Sequence, residues 1–178
     1  LAIVAGALLI LPVVLPMLGM TLTSATEVVI FAIACMALNI LVGHTGLVSF
    51  GHGAWFGLGA YAAGLLQRHW FPGQFVLPTL LGMVIVAVIA TAFGALILRR
   101  RGVYFSLLTL ALSALLFVIA FRWTEFTGGE DGLGGITRPV WFGLSFDDRT
   151  AFYTLVATIA MAVAFVLWRF HRSPVGKV

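Results

Sequence analysis

Charge is scarce in this sequence. Only 9% of its 178 residues are Asp, Glu, Lys or Arg, where a soluble domain carries about a quarter. That excludes a water-soluble globule, because there is too little polar surface to cover one of this size. The composition is that of an integral membrane protein. Acids are scarcer still, six against ten basic residues, and no ionisable acid or base lies at the centre of any apolar run. Ion-coupled pumps carry such groups inside the bilayer, so coupling to an ion gradient is not expected here. A G-x-x-x-x-G-K-[ST] phosphate loop is also missing. The closing "VGKV" lacks both the earlier glycine and the hydroxyl residue. No catalytic residue, cofactor or metal is therefore expected, and any ATP hydrolysis falls to a separate subunit. The single cysteine, Cys35, rules out an internal disulfide and a multi-cysteine metal site. It is read as a small buried hydrophobe.

The first residue is leucine, and no basic segment with a small-residue cleavage site follows. A signal peptide is not expected, and both ends are read as fragment ends. The net charge of +4 would suggest nucleic acid in a soluble protein. Here the charges lie between apolar runs and report orientation in a bilayer, with no nucleic-acid partner.

Hydrophobic sequence fills the space that charge leaves, at 62% of the chain. A helix needs about 20 residues to cross the hydrocarbon core. Six apolar runs approach that length, over residues 1–20, 25–43, 50–67, 77–98, 103–121 and 151–168. The predicted fold class is all-α: a polytopic helical membrane protein of about six transmembrane helices, one broken by glycine, in a single domain over 1–178. Pro12 and Pro16 are expected to kink the first helix or end it early. Trp70, Trp123, Trp141 and Trp168 fall near run ends, where an indole suits the interface, but Trp55 does not.

Arg99, Arg100 and Arg101 join the fourth and fifth runs, and Arg169, Arg172 and Lys177 follow the sixth. Neither cluster contains an acid. The positive-inside rule makes both cytoplasmic, as two intervening spans require. Residues 122–150 then form an extracytoplasmic loop, and the amino terminus is cytoplasmic. Arg68 falls on the outer side, where a long side chain can snorkel to the headgroups. Two readings of the arginine triplet stand: topology with headgroup contact, or contact with an ATPase.

The stretch "NILVGHTGLVSFGHGAWFGLGAY", Asn39 to Tyr61, interrupts the apolar pattern. From Ala25 to Leu66 the chain is barely long enough for two spans, so almost nothing is left to connect them. The glycines at 43, 46, 51, 53, 57 and 59 make one unbroken helix unfavourable, since each costs roughly 1 kcal/mol relative to alanine. Backbone that leaves the helix at membrane depth must be shielded by protein or line a wet cavity. For residues 43–52 the expectation is a functional bend in a substrate path. For 53–64 it is close packing through small residues, Gly53 with Gly57, Gly59 with Ala63 and Ala60 with Gly64. His44 and His52 lack a neighbouring carboxylate or cysteine and do not form a metal site. His52 is expected to hold the bend by a hydrogen bond. Ser49 with His52 suggests a nucleophile and base, but "LVSFG" misses the first glycine of a G-x-S-x-G elbow.

Three stretches together resemble one family. "ALNILVGHTGLVSFGHGAWFGLGAY", "LRRRGVYFSLLTLAL" and "TEFTGGEDGLGGITRP" are similar, in order and spacing, to the branched-chain amino acid permease subunits of bacterial ATP-binding-cassette importers. The third block favours the LivM-type subunit over its LivH-type partner. The resemblance implies a membrane subunit that pairs with a second, LivH-like permease. Two cytoplasmic ATPases and an extracytoplasmic solute-binding protein would complete the assembly, in the bacterial inner membrane. Its motif positions fall on Asn39, Gly43, Gly46, Ser49, Gly51, His52, Tyr61 and Thr109 for the substrate path. They fall on Thr127, Gly128, Gly129, Gly132 and Gly135 for the external loop, which is either a plain connection or a cap over the mouth. Where many members carry a glutamate after the T-L pair, this chain has Ser113 and Ala114. "SPVGKV" looks like the start of a cytoplasmic segment leading to an ATPase-coupling helix, so the chain is expected to be truncated before it. Relatives that move urea or short amides are poorly separated by sequence. A facilitative channel for a small neutral solute, an intramembrane enzyme and a purely structural subunit are the rival classes.

Overall fold

The computed structural model describes all residues except 100–101, 137–139, 142–143 and 174–178. It is mainly helical, with six helices of sixteen residues or more among the described residues. These are α1 (Ala2–Met17), α2 (Leu22–Thr45), α3 (His52–His69), α4 (Val76–Ile97), α5 (Val103–Arg122) and, after the one-turn α6 (Thr124–Thr127), α7 (Arg149–Arg172). Each of the six apolar runs is one helix, with ends displaced by only a few residues. Four of them, α2, α4, α5 and α7, are long and apolar enough to cross a membrane. Helix α1 is apolar but shorter, and α3 ends in the polar run Gln67, Arg68, His69. The protein is a polytopic helical membrane protein.

Local chemistry explains several helix boundaries. Pro12 is carried inside α1, and the helix stops one residue after Pro16. Thr21 precedes α2 and its Oγ1 accepts from the Ser24 N–H at 3.3 Å, an N-cap arrangement. Asp148 does the same for α7, accepting from the Thr150 N–H at 3.2 Å. Residues 122–150 are not a structureless loop. They contain α6, a 3-10 turn at Gly129–Asp131, and two-residue extended stretches at Val140–Trp141 and Leu144–Ser145.

The chain divides into two compact units. The first comprises Leu1–Thr45 with Gly143–Val178 and is built from α1, α2 and α7. Its core is Ala25, Val29, Tyr153, Val156 and Ala160, with Leu8, Leu11 and Leu15 of α1 packed on it. The buried Tyr153 hydroxyl donates to the Leu8 carbonyl at 2.6 Å, giving the polar tip of a core aromatic its partner. Cys35, expected to be buried, is exposed on α2. A thiol in an apolar span needs no protein cover, because lipid is as apolar as a core.

The second unit, Gly46–Phe142, is built from α3, α4, α5 and the turns that follow α5. Gly82 of α4 sits against the backbone of Ala63 on α3. A Cβ added there would lie 3.0 Å from the Ala63 nitrogen, so small residues set how closely these helices approach. Of the glycines expected to pack, Gly64 is buried, with Leu133 and Ile136 where its Cβ would stand, but a Cβ on Gly53, Gly57 or Gly59 would meet nothing within 4 Å. An apolar cluster of Ile97, Phe105 and Leu112 gathers Leu47, Trp55 and Phe93 around it. Trp55 is thus a core residue, its ring 6.2 Å from that of Phe93. Trp70 and Trp123 cap the ends of α3 and α5 and are largely exposed.

Candidate functional site

The helical backbone stops at Thr45 and resumes at His52, so residues 46–51 lie outside any helix. The interruption is shorter than the glycine pattern suggests. Asn39 and Gly43 stand inside α2, both exposed. His44 stays in the last turn of α2, where its ring stacks on His171 of α7 with centres 4.5 Å apart. The break opens at Gly46, whose φ of +65° is left-handed backbone that glycine adopts without strain.

Freed amides and carbonyls in an apolar region need partners. Two hydroxyls of α5 supply them. The Phe50 N–H donates to Thr109 Oγ1 at 3.2 Å, and Ser106 Oγ donates to the Val48 carbonyl at 2.6 Å. Thr109 spends its own proton on the Ser106 carbonyl at 2.8 Å, which leaves its oxygen free to accept. Leu47 adds an apolar anchor in the cluster around Phe105. Ser49 and Gly51 are buried. Gly51 lies so close to α5 that an added Cβ would overlap the carbonyl of Thr109. Thr109, marked in sequence by the second motif block, is therefore the residue against which the first block folds.

His52 is the first residue of α3, and the α5 side chains that bond to the bend are Ser106 and Thr109. Ser106 was missed in the sequence. The available signal was a second hydroxyl three residues before Thr109, on the same helical face.

The third block folds into a knot at the end of α5. The Thr127 hydroxyl turns back to the carbonyls of Ala120 and Trp123, the latter at 2.8 Å, and accepts from the Gly129 N–H at 3.3 Å. Gly128 ends α6 in left-handed conformation, φ +83°, and a Cβ there would overlap the Gly132 carbonyl. Gly132 and Gly135 also have positive φ. Thr127 and Gly129 are buried. The T-G-G-x-x-G spacing is thus a backbone requirement: hydroxyl, left-handed turn and close return in six residues.

A groove of about 780 Å³ runs the length of α3 and connects these two constructions. It begins at Gly53 and Ala54, beside the bend, and ends at Trp123, Thr127 and Gly129. Gly57 and Tyr61 form the α3 wall, and Ser113 and Phe117 the α5 wall. Among the described residues no Asp, Glu, Lys or Arg lines it. The small faces of Gly53 and Gly57 open this space instead of packing a helix. Of the expected path residues, Tyr61 lines the groove, Gly46, Ser49, Gly51 and Thr109 build the bend, and Asn39 and Gly43 belong to neither. A second, polar depression of about 840 Å³ lies beside the loop knot, lined by Arg68, Arg122, Glu130 and Asp131 and by Gly128, Gly132 and Gly135. Arg99 is exposed in the turn after α4, and Arg100 and Arg101 lie outside the described residues.

Two curated proteins resemble this chain over most of its length. The high-affinity branched-chain amino acid transport system permease protein LivM of Escherichia coli K12 is 30% identical. That alignment covers 96% of this chain and 46% of the relative. LivM of Salmonella typhimurium LT2 is 31% identical over 86% of this chain and 41% of its own length. The chain therefore spans less than half the length of these curated relatives. No solved structure matches it. Residues 20–178 match the family described as branched-chain amino acid transport system, permease component, and the chain belongs to that family.

Proposed function

We propose that this chain forms part of a permease subunit of an ATP-binding-cassette importer for branched-chain, hydrophobic amino acids. The observation that carries this reading is the uncharged groove joining a non-helical bend to a glycine knot, in a chain of the branched-chain permease family. An uncharged path suits a solute with an apolar body and no net charge. Irregular backbone in such a setting is tolerated where it is packed in protein or lines a cavity, and transporters use it at their crossing points. The subunit sits in the bacterial inner membrane with its amino terminus in the cytoplasm and residues 122–150 outside, as the acid-free basic clusters favour.

A second permease subunit, two cytoplasmic ATPases and an extracytoplasmic binding protein complete the assembly. ATP-driven closure of the ATPases rocks the permease pair, and cargo passes the bend between outward- and inward-open states. This subunit does not itself catalyse. The acids of the second unit, Glu125, Glu130 and Asp131, follow the end of α5, while Ser49 and His52 lie before and at the start of α3, which supports a transport role over hydrolysis.

The test is uptake by the full-length protein, purified with its partner subunits and reconstituted in liposomes. ATP-dependent accumulation of leucine, isoleucine or valine is the expected result. Equilibration without ATP would instead show a facilitative channel, and uptake of urea or short amides without leucine would overturn the cargo.

A further inference from the structure

The polar depression and the apolar groove are not independent. Phe121 lines both, and the adjacent loop residues Gly128 and Gly129 line one each. Among the described residues, one side of this shared wall presents two cations, Arg68 from the end of α3 and Arg122 from the end of α5, with two acids, Glu130 and Asp131, from the 3-10 turn. All four are exposed. The other side presents only apolar and uncharged groups.

A lone cation or anion would meet one like-charged pair in the depression. A molecule carrying one charge of each sign meets a partner for both, with no net charge to desolvate. An apolar substituent on that molecule has apolar-lined space immediately past Phe121. Resting on the importer reading above, the geometry points to a capture site for a zwitterionic amino acid. Its carboxylate is taken by Arg68 and Arg122, its ammonium by Glu130 and Asp131, and its apolar side chain enters the groove between α3 and α5. Both spaces are larger than one amino acid, so this is a vestibule that orients cargo, head outside and side chain first. The loop knot has a reason for its rigidity here. Thr127 and Gly128 fix where Glu130 and Asp131 stand relative to Arg122, five residues before Thr127.

The site predicts selectivity by head group as well as by side chain. An amide of leucine, lacking the carboxylate, or the deaminated acid, lacking the ammonium, satisfies only half of it.

The test uses the complete importer in liposomes with a photoreactive diazirine analogue of leucine. Labelling is expected on groove residues next to the shared wall, Phe117, Phe121 or Tyr61, with protection by excess leucine and much weaker protection by leucinamide. R122Q and E130Q should each raise the KM for leucine uptake by about twofold to fivefold, the range for exposed charge contacts. The kcat and the affinity for the binding protein should stay unchanged. Labelling elsewhere, or labelling and KM that ignore both substitutions, would overturn the site. Loss of binding-protein affinity in the same variants would also overturn it, making the four charges a docking contact. If the unsubstituted importer moves no leucine, the importer reading fails and this one with it.

Discussion

Gly51 lies directly against the main-chain carbonyl of Thr109, with no space between them for a side chain. Residues fifty-eight positions apart in sequence thus share one point of closest approach, where an interrupted segment meets a continuous helix. Gly51→Ala should therefore force the bend away from α5. The expected destabilisation is about 1–3 kcal/mol, as for other overpacked sites, and Gly51→Leu should abolish transport in the full-length protein. Thermal stability in detergent and leucine uptake after normal membrane insertion are the measurements.

Gly46 fails for a different reason when replaced. A Cβ there would meet nothing within 4 Å, but φ is +65°. Gly46→Ala should cost about 1–2 kcal/mol through the left-handed backbone, and Gly46→Asn, which tolerates that region better, should recover part of it. Gly46→Leu should again abolish uptake. Equal effects of Ala and Asn would argue against a conformational cause.

Thr109→Val removes both the acceptor for Phe50 and the donor to Ser106 while keeping the shape. Leaving a part-buried amide unpaired costs up to about 1 kcal/mol, so the variant should lose stability and Thr109→Ser should restore it. Ser106→Ala should act in the same direction through the Val48 carbonyl. His52→Gln should change stability by less than either. Melting curves of the four variants check the ranking.

Thr127→Val should loosen the loop knot by removing the hydroxyl that binds the end of α5. Gly128→Ala adds an overlap with Gly132 and should do more. Faster protease cleavage or amide exchange within residues 123–135, with α5 itself unaffected, is the expected readout.

Much of this architecture was legible in the sequence. All six apolar runs became helices because length and hydropathy dominate in a bilayer, where backbone groups must be satisfied within the segment. The break at 46–51 was legible from glycine content, and Thr109 and Thr127 from motif spacing. What bonded to what was not. Nothing in the string says that Ser106 and Thr109 would satisfy the amide and carbonyl of the bend, since that depends on how α5 is rotated against it. Asn39 and Gly43 showed the opposite failure. Their motif positions suggested the bend, but a single glycine costs only about 1 kcal/mol, and α2 runs past both to Thr45. Gly53 and Gly57 matched a packing pattern yet line open space, because small residues serve close approach and cavity equally well.

The central claim is that residues 46–51 form a non-helical, pinned crossing beside the cargo path. Single cysteines placed from position 43 to 53 in a full-length Cys35→Ser background, assayed for thiol-reagent modification in the assembled importer, test it most directly. The account predicts a reactivity pattern without helical period across 46–51, low at Ser49 and Gly51, with rates that change when leucine and ATP are supplied. Reactivity repeating every three to four residues through the whole stretch, indifferent to cargo, would contradict it.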